Sequence, residues 1–422
     1  MAKKQTIKIN HIAKMEGHTG FVAHILDGKV IKAKVATIEG ARLIEGVLIG
    51  RHYQEAPMIT GRICGVCPIV HFLSSIQAIE KAFNVKVTEQ TVILRKMIEW
   101  AQIIHSHALH LFFLSLPDFF DIENDLNFIK KYPKETEATI RVRQFAIDLA
   151  KVIGGRTIMP VNLEVGGFKR LPDILEIQKL IKNYNSLMED ALLLGKFTRN
   201  LKIPKFKRET EFVALYNQNE YEVLKGDIKT FNGKAYKIKD FYNQIEELHQ
   251  RFDKIVRTNY LGEPYFVGAL ARVMVNFDLL NPQAKKLWKS SGIKIPTYNT
   301  FHNVFAQAVE IVHSVEEIKM LTKCLGKMDQ KQLKVKYTPK AGEGYGACEA
   351  PRGLLIDYYK FDKNGIIKDV NIITPTAQFL ANLDADLKEY LPSFYKQPIT
   401  KRRKKIRTLI RAYDPCISCA TH

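Results

Sequence analysis

The 422-residue sequence predicts a mainly α-helical protein with small β elements. Apolar residues recur every three or four positions through much of the chain, which is the spacing of a buried helix face. The segment of about 90–114 is apolar on most sides, as expected for a helix in the middle of a helical body. Strict alternation, which is typical of strands, is confined to short stretches beside turn dipeptides such as Asp27-Gly28.

A small sheet is predicted at the start of the chain. Residues 6–9 alternate between polar and apolar, and residues 21–26 are joined through the Asp27-Gly28 turn to residues 30–38. Two-residue turns of this kind connect antiparallel strands. The pattern therefore indicates an N-terminal β region of about 1–56 that contains a hairpin.

Helical spacing begins after this region. Behind Cys67-Pro68 the apolar residues keep a helical spacing as far as Phe83, with Pro68 in the first helical turn. Cys67 is therefore expected at a helix N-terminus. The long central helix is followed by further helical patterns at about 135–153, 174–194, 239–257 and 301–326.

Two strand-like insertions interrupt the helical body and are expected at its periphery. The first covers about 210–238 and carries an Asn-Gly turn at 232–233. The second covers about 353–373 and carries an Asn-Gly turn at 364–365. Both are predicted to be hairpins, because Asn-Gly between alternating segments favours a two-residue turn.

No internal repeat, low-complexity tract or proline-rich linker divides the chain. We therefore expect one domain over residues 1–422, with a helical body of about 57–422. Hydrophobic residues make up 46% and charged residues 26% of the sequence, which excludes a disordered chain, a collagen and a small disulfide scaffold. Residues 1–6 lack the apolar run of a signal peptide, and no stretch approaches about 18 uninterrupted apolar residues, so no direct membrane span is predicted.

The net charge of +20 is compatible with acidic surfaces, anionic cofactors or nucleic acid as partners. The excess of lysine and arginine is spread along the chain. Its densest run, residues 401–405, lies in a predicted helix, and such a run is more typical of a solvated helix face than of a nucleic-acid patch. We predict no nucleic-acid partner.

Four of the six cysteines form two C-x-x-C pairs, Cys64 with Cys67 and Cys416 with Cys419. Sparse, paired cysteines suit metal or redox chemistry in a reducing compartment better than a secreted disulfide framework. Two such pairs can supply four soft sulfur ligands to zinc, nickel, copper or iron-sulfur centres. About 350 residues separate the pairs, whereas a zinc ribbon usually separates its pairs by about 15–20. The spacing favours a redox metal and leaves zinc and coincidence as alternatives.

The residues around the pairs extend them into longer motifs. The first is R-x-C-G-x-C-x-x-x-H at residues 62–71, and the second is D-P-C-x-x-C-x-x-H at residues 414–422. Through these motifs the chain resembles the large, catalytic subunit of the nickel-iron hydrogenases. The resemblance extends over nearly the full length through three further segments: Met15-Glu16-Gly17-His18, Ser106-His107-Ala108-Leu109-His110 through Leu116-Pro117-Asp118, and Glu349-Ala350-Pro351-Arg352-Gly353.

The resemblance is greatest to the cytoplasmic multi-subunit bidirectional group, which includes deazaflavin-non-reducing or methyl-viologen-reducing, NAD(P)-linked and sulfhydrogenase types. It implies the nickel-iron hydrogenase large-subunit fold, with a long central helical bundle and an N-terminal β hairpin region. It also implies the reversible heterolytic oxidation of dihydrogen to protons and electrons. Related quinone-site subunits of respiratory complex I share the fold but have lost the thiols, whereas all four are present here.

The resemblance assigns metals to particular residues. Nickel is bound by the four paired cysteines, and Cys67 and Cys419 also bridge to an iron that carries carbon monoxide and two cyanides. Glu45 and His422 hold a magnesium, or sometimes an iron, near the C-terminus. In the family a maturation endopeptidase removes a C-terminal peptide after this histidine once nickel is inserted, so the sequence resembles the mature form.

Catalytic roles follow from the same resemblance. Glu16 is the proton relay beside a terminal nickel thiolate, which by motif is Cys416. Arg352 is suspended over the open nickel-iron position, where a fixed guanidinium can polarise dihydrogen. Asp118 and Asp414 orient this arginine. From the residues alone, Glu16 would be placed in a surface turn.

Four further residues are implied to contact the cofactor. Pro351 directly precedes the arginine of the Ala-Pro-Arg segment. Pro375 and Thr376 resemble the segment that packs against and hydrogen-bonds the iron cyanides. His71, four residues after Cys67, resembles the histidine that hydrogen-bonds a bridging thiolate.

Other residues near these motifs receive a structural interpretation. His105, His107 and His110 are expected to be packing histidines, because residues 105 and 107 face different sides of a helix. Met159 stands where relatives commonly have His, and Cys348 stands where Thr or Ser is more usual. These departures concern the subgroup and not the reaction.

Cys324 and Cys348 are unpaired by motif, so the chain is not expected to hold a conventional iron-sulfur cluster in addition to nickel. Iron-sulfur clusters are therefore expected only on a partner, the hydrogenase small subunit, with further electron-transfer subunits beyond it. Dihydrogen and protons are the substrates, and a cytoplasmic location is expected. The alternatives are a hydrogenase-like subunit of an energy-converting membrane complex and a four-thiol zinc structural protein.

Overall fold

The structure is a computed structural model that describes residues 4–37, 40–41, 43–249, 253–326 and 334–422. Helices dominate these ranges and the strands form small separate sheets, so the predicted fold class, mainly α with small β elements, is confirmed. Within the same ranges, no helix combines the length and the apolar character that crossing a membrane requires.

The first three strands, β1 (Lys4–Ile12), β2 (Thr19–Leu26) and β3 (Lys29–Thr37), form an antiparallel meander. Asp27 and Gly28 join β2 to β3 with φ angles of 49° and 81°. Two successive left-handed residues give a turn whose twist matches that of the paired strands. The predicted hairpin is confirmed, except that residues 1–3 and 38 lie outside the described residues.

Helices carry most of the chain from residue 44 to residue 199, with one short strand pair among them. The elements are α1 (Ile44–Leu48), α2 (Ala56–Thr60), α3 (Pro68–Phe83), α4 (Glu89–Leu109), α5 (Leu116–Phe119), α6 (Asp125–Lys131), α7 (Pro133–Gly154), β4 (Leu163–Glu164), β5 (Gly167–Phe168), α8 (Ile174–Ile181) and α9 (Tyr184–Arg199). The predicted helices of this part are confirmed, with the segment of about 174–194 divided between α8 and α9.

The central helix, α4, is buried between α7 and α13 (Asn303–Leu325). The side chain of Thr88 caps its N-terminus by accepting a hydrogen bond from the backbone N–H of Thr91. At its C-terminus the chain continues through residues 110–115 as a π-helical turn, a feature that is frequent at functional sites.

The second half of the chain mixes short strands with helices. Before α13 the elements are β6 (Glu211–Tyr216), β7 (Asp227–Thr230), β8 (Ala235–Tyr236), α10 (Ile238–Tyr242), β9 (Ile245–Leu248), β10 (Arg257–Tyr260), β11 (Tyr265–Phe266), α11 (Ala269–Asn276) and α12 (Pro282–Lys289). After α13 they are β12 (Gly342–Ala350), β13 (Gly353–Phe361), β14 (Ile367–Ile373), α14 (Pro375–Tyr390), α15 (Ile399–Ala412) and α16 (Ile417–Ala420).

The helix predicted over about 239–257 is wrong. Only α10 is helical there, and β9 pairs with β10 in an antiparallel ladder from Ile245 opposite Tyr260 to Leu248 opposite Arg257. Pairing between strands outweighs the helical spacing of the sequence, since strand preference depends on tertiary context. Residues 250–252 of this prediction lie outside the described residues.

The two predicted insertions are strands as expected, but they are not peripheral. The middle of β6 is fully buried, and the sheet of β12, β13 and β14 packs directly on α3. A Cβ atom at Gly344 would lie 2.0 Å from the carbonyl oxygen of Ala78, and one at Gly346 would lie 2.2 Å from that of Ser74. Glycines in β12 thus let the strand approach the backbone of α3.

Candidate metal centre

Each C-x-x-C pair lies at the beginning of a helix. Cys67 is the N-cap residue of α3 and Cys416 is the N-cap residue of α16. In the first pair the backbone N–H groups of Val66 and Cys67 donate to the sulfur of Cys64 at 3.4 and 3.3 Å. The prediction that Cys67 lies at a helix N-terminus is confirmed, and the local turn directs both thiols of the pair to one side.

The two pairs meet in the interior. The sulfur of Cys416 lies 3.5 Å from that of Cys64 and 2.8 Å from that of Cys419. The sulfurs of Cys64, Cys67 and Cys419 lie within 4.8 Å of one another. All four thiols are free, and none of the four residues is more than 3% exposed. We call these four residues the thiol cluster.

The ionisation of the thiol cluster indicates what it can hold. Hydrogen bonds from the neighbouring thiols, that of Cys416 first, hold the pKa of Cys64 well below its usual value despite burial. Burial raises the pKa of Cys416 and of Cys419 well above the usual value. Burial thus disfavours the charged form of these two sulfurs unless a cation balances it, and a soft divalent metal bound by the four sulfurs would do so. The donor set therefore fits nickel.

The C-terminal motif is held in place by both ends of the chain. The hydroxyl of Thr376, at the start of α14, accepts a hydrogen bond from the backbone N–H of Cys416 at 3.1 Å. The hydroxyl of Thr374 donates to the carbonyl of Cys419 at 2.7 Å. On the other side, the backbone N–H of Ile417 donates to the carbonyl of Glu16 at 3.1 Å. The thiols of the last helix are thus fixed by backbone contacts.

Glu16 contacts Cys416 directly. The thiol of Cys416 donates to the Glu16 carboxylate at 3.0 Å, and the backbone N–H of Ser418 donates to the same oxygen at 3.1 Å. The hydroxyl of Ser418 donates to the other oxygen. Glu16 is half-buried, so the interpretation as a free surface turn is wrong and the adjacency implied by the resemblance is present.

Arg352 lies beside the thiol cluster and is only 4% exposed. Its Nε donates to the carbonyl of Asp414 at 2.8 Å, and its Nη2 donates to the Asp414 carboxylate at 3.0 Å. Its Nη1 is buried and has no hydrogen-bond partner among the described residues. Such a group is costly unless a ligand satisfies it, so the site fits a small ligand or a metal-bound group beside Arg352.

Asp118 does not orient Arg352, and the prediction that it does is wrong. Its carboxylate accepts a hydrogen bond from Nη1 of Arg411 at 2.7 Å, and the same arginine donates through Nε to the carbonyl of Ala13 at 3.0 Å. Asp118 therefore forms a buried ion pair with Arg411, five residues before Cys416. Only Asp414 of the two predicted carboxylates binds Arg352.

His71 is buried, and its Nε2 lies 3.8 Å from the sulfur of Cys419, the position expected for a partner of this thiol. Pro375 is the first residue of α14 and is buried there, next to Thr376. Pro351 is buried directly after β12 and before Arg352. Of these residues, His71 lies beside Cys419 from α3, and Thr376 hydrogen-bonds Cys416 from α14.

Glu45 and His422 are neighbours. Nε2 of His422 lies 3.9 Å from the Glu45 carboxylate, and burial raises the pKa of Glu45. Both side chains also bind Ile372, whose carbonyl lies 2.7 Å from Nε2 of His422 and whose N–H donates to Glu45 at 2.9 Å. The pair closes the tail of the chain over the end of β14.

His107 and His110, in α4 and its π-helical turn, have separate hydrogen-bond partners. Nε2 of His107 lies 2.8 Å from the Glu310 carboxylate, and Nδ1 of His110 lies 2.6 Å from the side-chain oxygen of Gln307. Burial lowers the pKa of His105 to about 4, which leaves this imidazole neutral. His107 and His110 are buried and His105 is half-buried, which agrees with the predicted packing role.

Comparison with known proteins decides the family. A family model described as Nickel-dependent hydrogenase matches residues 42–146 and 208–422. The chain belongs to this family. The hydrogenase chain is 32% identical over 424 residues to sulfhydrogenase 1 subunit alpha of Pyrococcus furiosus, which covers 99% of this chain and 97% of the relative. It is 30% identical over 421 residues to sulfhydrogenase 2 subunit alpha of the same organism, with 99% and 98% covered.

The fold is also that of solved hydrogenases. The crystal structure of an NAD⁺-reducing nickel-iron hydrogenase in its dihydrogen-reduced state matches with a TM-score of 0.87 at 23% identity, covering 100% of both chains. The family match and the two sulfhydrogenase relatives show that the chain is the large, catalytic subunit of a nickel-dependent hydrogenase, an oxidoreductase, as the motifs predicted. A four-thiol zinc structural protein is not favoured.

Several residues of this hydrogenase site were missed by sequence reasoning. Ser418 binds Glu16, Thr374 anchors Cys419, and Arg411 takes Asp118. Ser418 and Arg411 lie inside or within a few residues of the C-terminal motif, where polar residues flanking the cysteines were the signal that could have found them. Thr374 directly precedes Pro375.

Proposed function

We propose that the chain oxidises dihydrogen reversibly to protons and electrons at a nickel-iron centre held by the thiol cluster. The single observation that carries the proposal is the meeting of four buried, free thiols from the two chain ends within this family. The four sulfurs would hold nickel, and Cys67 and Cys419 would also hold an iron with carbon monoxide and two cyanides; the two metals would supply the redox chemistry.

Glu16 is proposed as the first proton acceptor beyond the thiols. Its carboxylate already takes a hydrogen bond from the Cys416 thiol at 3.0 Å, so a proton can pass along this contact without rearrangement. The two hydrogen bonds from Ser418 keep the carboxylate in this orientation. Because Glu16 is half-buried, the proton reaches solvent from its outer side.

Arg352 is proposed to orient and polarise dihydrogen. Asp414 holds its guanidinium through two hydrogen bonds, and the buried Nη1 remains available to the reacting molecule. A cation fixed in advance stabilises charge that develops during heterolysis without reorganisation. Asp414 is thus a positioning residue, whereas Asp118 binds Arg411 and lies 4.0 Å from Nη2 of Arg407.

The remaining assignments are proposals of the same kind. Pro351, Pro375 and Thr376 contact the iron ligands, which is supported by their burial, by the hydrogen bond between Thr376 and Cys416, and by the place of Pro351 directly before Arg352. His71 hydrogen-bonds the Cys419 sulfur. Glu45 and His422 bind magnesium or iron at the closed tail, supported by their 3.9 Å separation.

The electrons are proposed to leave through a small subunit that carries the iron-sulfur clusters, with further electron-transfer subunits beyond it. Cys324 is exposed and Cys348 is buried with Gln77 as a hydrogen-bond partner, so neither joins the thiol cluster. Gly65, between Cys64 and Cys67, is exposed, which makes this loop a short route from the metals to a partner. The curated relatives are named as subunits, which supports a multi-subunit complex.

We also propose that the chain forms one domain, supported by a hydrophobic core that connects the N-terminal strands, the helices and the C-terminal motif. A maturation endopeptidase as a further partner and a cytoplasmic location complete the proposal.

Infrared spectroscopy of the purified complex tests the proposed function. We expect bands from carbon monoxide and cyanide bound to iron, together with dihydrogen oxidation coupled to methyl viologen. A complex that oxidises dihydrogen without such bands would contradict the iron assignment. Membrane subunits that co-purify would favour the energy-converting alternative.

A further inference from the structure

Arg272, in α11, uses its whole guanidinium in the interior of the protein. It is 0% exposed and donates five hydrogen bonds. Two reach Glu310 at 2.6 Å each, one reaches Glu349 at 2.9 Å, and two reach the carbonyls of Ala350 and Pro351 at 2.8 and 3.0 Å. A guanidinium has five N–H donors, so all of them are used.

The two carbonyls belong to the residues that directly precede Arg352. A bidentate arginine fork fixes the orientation of its acceptors as well as their distance. The backbone that carries the Arg352 side chain is therefore clamped by Arg272. This contact was not visible in the motifs, because about 80 residues separate the two arginines.

Two glycines bring α11 against the same backbone. Gly353 and Gly268 have φ angles of 127° and 129°, a region that other residues rarely adopt. A Cβ atom at Gly353 would lie 2.7 Å from the backbone nitrogen of Gly268 and 2.7 Å from a side-chain carbon of Val267. The close contact at the N-terminus of α11 seats Arg272 beneath the Arg352 backbone.

Helix α13 supports this arrangement from the other side. Glu310 accepts hydrogen bonds from Tyr221 at 2.6 Å and His107 at 2.8 Å besides those from Arg272. Burial alone would raise the pKa of Glu310, but the charge and hydrogen bonds of Arg272 hold it at about 2, so the carboxylate stays ionised. One turn earlier on α13, Gln307 donates to the Asp414 carboxylate at 3.2 Å.

We propose that Arg272 is a positioning residue for the dihydrogen reaction, which holds the Arg352 guanidinium beside the thiol cluster by clamping the carbonyls of Ala350 and Pro351. α13 then joins both supports of Arg352, since Gln307 holds Asp414 and Glu310 holds Arg272. The inference rests on the proposed role of Arg352. The inference adds Arg272 and its partner Glu310, which do not contact the thiol cluster, to the residues that determine the rate of dihydrogen oxidation.

The test is Arg272→Lys in the full complex. Lysine keeps the buried positive charge but offers three donors from one atom, so the fork to the two carbonyls is lost. We expect normal nickel and iron content, a kcat for dihydrogen oxidation lower by about 10–100-fold and a nearly unchanged KM, because small misplacements of a catalytic group have effects of this size. The crystal structure of the variant should show Arg352 displaced from the carbonyl of Asp414.

Arg95→Lys is the matched control. Arg95 is 2% exposed and makes a two-bond fork to Glu80 at 2.8 and 2.9 Å plus a bond to the carbonyl of Glu164 at 3.0 Å, so it resembles Arg272 but clamps a different segment. We expect the control to lose stability at most and to keep its kcat. An equal loss of kcat in both variants would overturn the proposal.

A double variant separates positioning from a general structural effect. If Arg272 acts through Arg352, then adding Arg272→Lys to Arg352→Lys lowers kcat no further than Arg352→Lys alone. Additive losses, wild-type kcat in Arg272→Lys or loss of its metals would overturn the inference. If Arg272→Lys does not fold, Glu349→Gln, which removes one charged partner of Arg272, takes its place with the same outcomes. Absence of nickel from wild type would instead contradict the proposed function, and the crystallographic position of Arg352 would still test the clamp.

Discussion

Replacing Glu16 by Gln tests the proposed exit of protons from the thiol cluster. The substitution keeps the size of the side chain and most of its hydrogen-bonding capacity but removes the titratable group. Glu16 accepts hydrogen bonds from the Cys416 thiol and the Ser418 backbone on one oxygen, and from the Ser418 hydroxyl on the other. An amide oxygen can keep the first two contacts, and the Ser418 hydroxyl can rotate to accept from the amide nitrogen.

The expected magnitudes follow from these contacts. Changing a charged acceptor into a neutral one lowers the contribution of each bond by about 1 kcal/mol, so folding should lose about 1–3 kcal/mol. Nickel and iron should still bind, because none of the four sulfurs is altered. Removing a proton acceptor from the reaction lowers rates by about 10²–10⁴-fold, which corresponds to about 3–5 kcal/mol in the barrier.

The assay is the exchange of deuterium gas with solvent protons, followed by mass spectrometry, together with dihydrogen oxidation. Glu211→Gln serves as the control, because Glu211 is also half-buried and accepts hydrogen bonds from the backbone and side chain of Asn232, away from the thiols. The control should keep wild-type exchange. Glu16→Gln should keep the metals and the native infrared bands but lose most exchange and most turnover.

Two results would refute the reasoning. Exchange at the wild-type rate in Glu16→Gln would show that the proton leaves the thiols by another route. Loss of nickel and iron in the same variant would show that Glu16 supports the fold of the C-terminal motif and does not relay protons.

Three further predictions concern the thiol cluster, the electron path and the buried carboxylates. Cys416→Ala removes a sulfur that lies 3.5 Å from the sulfur of Cys64 and 2.8 Å from that of Cys419. Metal analysis should therefore find little nickel, and activity assays should find no dihydrogen oxidation. A wild-type nickel content would contradict the ligand assignment. The chain purified without partner subunits should reduce external acceptors far more slowly than the complex, because Cys324 and Cys348 join no cluster; equal rates would exclude a need for the small subunit. Burial raises the pKa of Glu99 well above its usual value, so above the unfolded-state pKa of about 4.3 the folded protein binds more protons at this residue than the unfolded chain does. The free energy of unfolding therefore falls as the pH rises above about 4.3. Glu99→Gln removes this loss, so the variant should raise the thermal midpoint relative to wild type more at pH 8 than at pH 5. An equal difference at both pH values would contradict this prediction.

Local sequence patterns correctly predicted those helices and turns whose conformation is determined by residues adjacent in sequence. The helix behind Pro68 and the hairpin at Asp27-Gly28 follow from the proline in the first helical turn and from a turn dipeptide that tolerates positive φ. The segment of about 239–257 was mispredicted because its partner strand lies about ten residues away and determines its conformation. The second hairpin was expected at the periphery but is buried, because glycines in β12 lie against the backbone of α3. This contact joins distant parts of the chain, so local patterns do not reveal it.

The same division holds for the site. The four cysteines, Glu16 and Arg352 lie in motifs that resemble a known family, so residue patterns were sufficient to name them. The partners of these residues were not predictable from the sequence. Asp118, for example, was expected to bind Arg352, but in the folded chain its carboxylate binds Arg411. Buried ion pairs form between residues that are distant in sequence, and their pairing is decided by packing.

The nickel content of the purified, active complex tests the central claim most directly. Inductively coupled plasma mass spectrometry of the complex measures nickel and zinc in the same sample, and the protein is quantified by amino-acid analysis. We expect nickel in equal number to the chains and zinc far below it, since four buried thiols within this family are assigned to a nickel centre. A complex that oxidises dihydrogen at full rate with zinc and no nickel would contradict the claim.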